Sequence, residues 1–164
     1  MNYVELRMMV RDAQPLKISG ARSSFFAISM FVFSLCYTAL TFVLLWKSIL
    51  AHKVLAIIII AVLFIVNMIS LARIVFLSDA VLTGRNLELK TLFGTTYNLD
   101  ISQIEKTTSF RLRNSIHTIV QFRDQNYNQE TALILNFRYR YGDSDYAAGE
   151  VIELSKELYL LPKK

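Results

Sequence analysis

The chain offers few residues suited to chemistry. His52 and His117 are its only imidazoles and Cys36 is its only thiol. A structural zinc site takes four closely spaced nitrogen or sulfur ligands, which this inventory cannot supply. A lone cysteine also excludes an intramolecular disulfide. His117 falls in a strand-like stretch and reads as a surface residue rather than as half of an acid–base pair. Gly84 and Gly94 stand alone, so no phosphate-cradling loop is present. Asp143 and Asp145 flank Ser144 just ahead of a helical pattern, where such side chains cap a helix start. With no nucleophile–base pair and no paired-carboxylate signature, we expect a non-enzymatic protein that needs no cofactor and no metal.

Four arginines are the remaining candidates. Arg111 and Arg113 alternate with Phe110 and Leu112, and Arg138 and Arg140 alternate with Phe137 and Tyr139. Each pair therefore points away from its strand's expected apolar face. Together they suit anionic lipid headgroups or an acidic partner; the plainer alternative is the solvated outer face of two strands. The charge balance bears on this. The whole chain is +5, yet residues 79–164 carry 11 Lys/Arg against 11 Asp/Glu. A neutral domain argues against nucleic acid.

The elements that must position these residues divide sharply. Phe25 to Trp46 is 22 residues without a formal charge, and Val54 to Ala72 is another 19, closed by Arg73. At about 1.5 Å per residue each can cross a hydrocarbon core of about 30 Å as a helix. The joint is expected at Lys47–Lys53. A cleaved signal peptide fits poorly: the first run is too long, starts late and lacks a small-residue cleavage site. The expected organisation is an N-terminal segment at 1–24, a transmembrane hairpin at 25–77 (helices 25–46 and 54–77), and a small domain at 78–164. Arg7, Arg11, Lys17 and Arg22 precede the first span, while Lys47 and Lys53 lie in the joint. That bias predicts both termini in the cytoplasm. Within the spans, Ser34, Thr38 and Thr41 form a stripe on the first helix, and Asn67 and Ser70 lie on the second. Small and hydroxylated side chains there are expected to pack the two helices together.

The C-terminal part alternates at period two. Ala80–Thr83, Leu87–Leu92, Tyr97–Leu99, Ile104–Leu112, Ile116–Arg123 and Ala132–Tyr141 read as strands. After residue 142 the period changes: Ala147, Val151, Leu154, Leu158 and Leu161 make a helical stripe over 144–161, ended by Pro162. That helix is expected to close the sheet by packing on Leu133, Leu135 and Phe137. The fold class expected is an α+β membrane protein: a two-helix hairpin, then a small antiparallel β domain closed by a C-terminal helix.

Arg85 to Leu92, the Phe93–Gly94 turn, Tyr97 to Leu99 and the Ile101-Ser-Gln-Ile104 step resemble the bacterial membrane-anchored PH-like domain family. The likeness covers about 25 residues well and the rest by strand order and closing helix. It implies a PH-like fold and a bacterial cytoplasmic membrane, and it carries no catalytic residues. Two functions follow as expectations. One is an adaptor that docks a protein or lipid at the cytoplasmic surface of the membrane. The alternative is an accessory or assembly subunit that binds a membrane-protein partner, or another copy of itself, through the hairpin.

Overall fold

Alternation at period two becomes seven strands among the described residues of a computed structural model, which describes residues 3–20, 23–51, 53–112, 115–137 and 146–160. The chain forms two compact units: Ser24–Val75, and a β unit that combines Met1–Ser23 with Phe76–Lys164.

The first unit is a pair of helices, α2 (Ser23–Ala51) and α3 (Lys53–Phe76). Helix α2 runs through Lys47–Ala51, so the expected seven-residue joint is largely helical. The stretch contains neither Gly nor Pro, and nothing in it breaks the backbone ladder. Two 20-residue windows, Ser24–Val43 and Ile57–Phe76, are long and apolar enough to cross a membrane, and almost none of either is buried (0% and 6%). The core helix of a soluble protein hides its apolar surface; these helices display Phe33, Val43, Ile57 and Phe64 at 64–74% exposure.

In the β unit, helix α1 (Tyr3–Arg11) leads into strand β1 (Pro15–Lys17), and β2 (Ser78–Thr83), β3 (Asn86–Thr91) and β4 (Thr96–Asp100) follow after the helix pair. These strands make one antiparallel sheet in the order β1-β2-β3-β4. Strand β1 pairs Leu16 with Leu82, and β2 pairs Ala80 with Leu89. The helix pair is therefore an insertion between two neighbouring strands. A short turn, Ile101–Gln103, leads to β5 (Ile104–Leu112), β6 (Ser115–Arg123) and β7 (Gln129–Phe137), a second antiparallel sheet in that order. Helix α4 (Ala148–Tyr159) ends the described chain.

The two sheets share one core with both helices. Leu82, Leu87, Leu89 and Leu99 from the first sheet meet Val120, Phe122, Ala132 and Ile134 from the second, with Val151, Ile152 and Leu154 of α4 and Leu6 and Val10 of α1. The N-terminal segment, expected as a region of its own, is thus a structural part of the β unit. Leu6, Val10, Leu16 and Ile18 are each at most 8% exposed, and these residues would be left in water if the segment were free.

The second sheet corrects two expectations. Ala132 and Ile134 share the core with helix α4, whereas Leu133 and Leu135 are buried on the opposite face; the side chain of Phe137, the third residue expected there, lies outside what the structure describes. Both faces of β7 are apolar, so side-chain size favoured the wrong one. In β5 the same inversion holds. Thr107 and Ser109 face α4, while Phe110 and Leu112 are 45% and 51% exposed. The expected helix start at 143–145 lies outside the described residues. Helix α4 begins at Ala148, and the Glu150 carboxylate accepts from the Ala147 amide at 3.2 Å. Ala147 has no side-chain oxygen to cap with, so the acidic first turn takes that role.

Candidate functional site

Between α2 and α3 the intermediate-exposure positions form facing stripes, at 27, 31, 34, 38 and 41 on one helix and 59, 63, 67 and 70 on the other. Spacings of three and four keep each stripe on one helix face. At their centre is a polar clamp. Asn67 Nδ2 donates to Thr38 Oγ1 at 2.8 Å and to its own helix's Leu63 carbonyl at 2.8 Å. Ser34 Oγ donates to Asn67 Oδ1 at 3.2 Å. The Thr38 hydroxyl donates in turn to the Ser34 carbonyl at 2.8 Å. One amide thus uses both its donors and its acceptor between two helices. Thr41 and Ser70 do not join it: their hydroxyls bond back to Tyr37 and Val66 on their own helices. Of the five residues expected to pack the hairpin, the structure brings three together.

Of the four candidate arginines, Arg113, Arg138 and Arg140 lie outside the described residues, as do His52 and the loop carboxylates Asp143 and Asp145. Arg111 is exposed, near the tip of the β5–β6 hairpin and opposite Ile116. His117 is not a surface residue. It is 4% exposed, stacked on Phe110 with ring centroids 5.0 Å apart, and its Nε2 is 2.9 Å from Ser115 Oγ. The exposed Phe110 ring covers it, which alternation alone does not reveal.

Sequence reasoning missed a polar seam, buried at Thr118 and Ser155 and open at Ser109, where α4 meets the second sheet. Ser109 and Thr118 bond to each other at 2.9 Å, and Thr118 Oγ1 accepts from the Gly149 amide at 3.4 Å. The amide lies in the first turn of α4, where no intrahelical acceptor exists. At the other end of the helix, the Ser155 hydroxyl donates to the Gly84 carbonyl at 2.6 Å. Gly84 has φ +57, and a Cβ there would meet Ala13 Cβ at 2.9 Å. The glycine is required both for its left-handed backbone and for the close approach of the α1–β1 turn. Its signal in the sequence was that of an isolated turn glycine.

The Asp100 carboxylate organises the corner between the sheets. It accepts from the Ser102 amide at 2.9 Å and hydroxyl at 2.6 Å, and pairs with Arg85 at 2.6 Å. Burial alone pushes its pKa up. The Ser102 bonds and the Arg85 guanidinium outweigh that and hold it below the usual carboxylate range. Tyr97, edge-on to Phe122 at 5.2 Å, has its phenol pushed up by burial and by Glu130 and Asp124.

A groove of about 840 Å³ between α1 and α4 is lined by Tyr3, Leu6, Tyr146 and Leu154 together with Glu150, Glu153, Lys156 and Glu157. No protein-family model, curated protein or solved structure matches the chain.

Proposed function

We propose that the chain is a two-pass membrane protein whose hairpin anchors a PH-like, non-enzymatic adaptor unit at the cytoplasmic face of a bacterial membrane, where the unit docks a protein or lipid. The observation that carries this reading is the exposure of both apolar helices. Two 20-residue windows of mean hydropathy 2.0 and 2.6, buried at 0% and 6%, have a surface that lipid solvates and water does not. Backbone polarity agrees, because a helix satisfies its hydrogen bonds internally and needs nothing from the bilayer. The Asn67 clamp also suits this setting, since interhelical polar bonds replace the missing hydrophobic drive in lipid.

The PH-like reading is supported by four strands, then three, then a closing helix, with one shared core. The insertion point supports the adaptor role. Because β1 and β2 are paired, the chain leaves and re-enters the unit at one place, and the hairpin works as a detachable anchor. Exchanging residues 24–75 for an unrelated two-helix hairpin tests this. Retained function and partner recovery in mild detergent support the adaptor. Loss of both, with the hybrid still inserted and folded, would favour a subunit that binds through its hairpin. Impermeant thiol labelling of Glu157→Cys, in a Cys36→Ser background, tests the orientation. Labelling on intact cells would place the β unit outside and overturn the cytoplasmic assignment.

A further inference from the structure

Phe93 and Tyr127 are the most exposed large apolar side chains described in the β unit, at 71% and 83%. Each sits at a loop tip held by its own hydrogen bonds. The Phe93 turn is closed by Thr91 N–H to the Thr95 carbonyl at 2.8 Å and by Thr95 N–H to Thr91 Oγ1 at 3.0 Å. In the Tyr127 loop, Asp124 Oδ1 accepts from the Asn126 and Asn128 amides, each at 2.8 Å. Tyr127 itself has φ +62, a region side chains seldom occupy. Rigid loops hold both rings in solvent, where a soluble protein gains nothing from them.

The two tips lie at the same end of the unit, the end where the chain enters it at Leu77. The Leu92 amide donates to the Leu77 carbonyl at 3.3 Å, and Leu77 directly follows the last residue of α3. Phe93 is therefore next to a residue bonded to the first residue after α3. Leu77 also bridges Leu133 in parallel, so the point where the chain enters the unit and the Tyr127 loop that precedes β7 lie at the same end of the sheet. A small cavity is lined by Thr96, Tyr97 and Asn98 of β4, the strand that follows the Phe93 turn, and by Asp124, Gln125 and Asn126 of the Tyr127 loop.

The composition of this end is also selective. Residues 91–99 carry no charge, and Tyr127 is flanked by Gln125, Asn126, Asn128 and Gln129; the nearby Asp124 carboxylate is occupied by loop amides. The ion pair of Arg123 with Glu105 lies beside Tyr127, but the Phe93 turn and Tyr127 with its immediate neighbours bring no formal charge of their own into a headgroup layer. Arg73, in the last turn of α3, marks the headgroup level by the habit of long cations at span ends.

We propose that Phe93 and Tyr127 insert into the interface of the bilayer that the hairpin crosses, and seat this end of the β unit on the membrane. The partner is the lipid surface itself, chosen because the span delivers the chain to within one residue of Leu77. The inference rests on the membrane reading above.

Trp46 is the only tryptophan, which allows a clean optical test. In a Trp46→Phe background, Phe93→Trp, Tyr127→Trp, Val62→Trp and Leu112→Trp are each placed singly in the full chain. Each is reconstituted in vesicles with and without lipids brominated high on the acyl chain. Val62, on an exposed face of α3, reports the hairpin; Leu112 reports the β5–β6 hairpin tip. The expected result is blue-shifted, bromolipid-quenched emission at 93 and 127, and unquenched emission at 112. Quenching at 62 with red-shifted, unquenched emission at 93 would overturn the seating while leaving the hairpin intact. A blue shift at 93 without quenching would mean that protein, not lipid, covers the ring, and would overturn it too. No quenching at 62 would sink the hairpin reading and this inference with it.

Discussion

The Tyr159 hydroxyl donates to the Val10 carbonyl at 2.9 Å and to the Arg11 carbonyl at 3.0 Å, joining residues 149 apart in sequence. One phenol from the last turn of α4 thus binds two carbonyls at the end of α1, of which Val10's also accepts from the Ala13 amide. The two helices are separated in sequence by the entire hairpin and both sheets, yet they close the same core.

That relationship predicts how the chain can be cut. Leu6, Val10, Leu16 and Ile18 are at most 8% exposed, and burying each stabilises by about 1.5–3 kcal/mol. Small domains have about 5–15 kcal/mol in total. A fragment of residues 78–164 alone should therefore fail to fold. Residues 1–20 joined to 77–164 by a short glycine linker should fold, because Ile18 N–H already bonds the Ala80 carbonyl at 2.9 Å. Proteolysis and thermal melts of the two constructions decide the matter; a stable 78–164 fragment would show α1 and β1 to be dispensable. Within the joined form, Tyr159→Phe should cost about 0.5–1.5 kcal/mol.

The ease of reading differed by element, for physical reasons. The strands from Ala80 to Phe137 announced themselves through period two, and the two long apolar helices through length without charge. Strand β1 has three residues, Pro15–Lys17, and one inward side chain, Leu16; no period can be read from that. Its pairing with β2 is a tertiary fact, created when the hairpin brings Gly20 and Leu77 back to the same sheet. In β7 the period was visible but the face was not, because Ala132 and Ile134 are smaller in sum than Leu133 and Leu135. Burial on both faces removes the contrast that alternation relies on. The clamp was partly visible: hydroxyls at i, i+4 and i+7 marked a stripe, but only the register between helices selects Ser34 and Thr38 over Thr41.

Asp100 predicts an acid-limb effect. Its carboxyl is held below the usual range by Ser102 and Arg85 against the upward push of burial. A depressed folded pKa stabilises above the unfolded value, near about 3.9, and that stabilisation is lost as pH falls through the lower folded value. Asp100→Asn should lower Tm at neutral pH, and the gap to wild type should narrow below about pH 4. Melts from about pH 3, below the free carboxylate value, to about pH 7, well above it, check this; a gap that stays constant into acid would remove the ionised carboxylate from the explanation.

Under the proposed membrane setting, the clamp predicts a measurable coupling in lipid. Interhelical polar bonds in membranes average about 0.6 kcal/mol and reach about 1.7. Asn67→Ala should loosen the hairpin by about that much, as should Thr38→Val in part, since Asn67 retains its bond to the Leu63 carbonyl. A double-mutant cycle on hairpin stability in micelles should give a coupling above zero between positions 38 and 67. Strictly additive effects would mean that the 2.8 Å bond between them does not persist in an apolar solvent.

Gly149 predicts an inverted propensity. In an ordinary helix Ala is better than Gly by about 0.8–1 kcal/mol. Here a Cβ at 149 falls inside contact distance of Ser109 Oγ, which is itself bonded to Thr118. Gly149→Ala must push α4 off the sheet or break that bond, and should destabilise by about 1–3 kcal/mol, the usual range for overpacking. Ser109→Ala removes the obstructing oxygen at a cost of about 0.5–1.5 kcal/mol for its lost bond. The double variant should then melt above Gly149→Ala alone, since the added methyl now has room and the helix keeps the propensity gain. Rescue of this sign locates the strain between α4 and β5. A Gly149→Ala variant that melts above wild type would instead place the helix farther from the sheet, and would weaken the case that Thr118 caps its first turn.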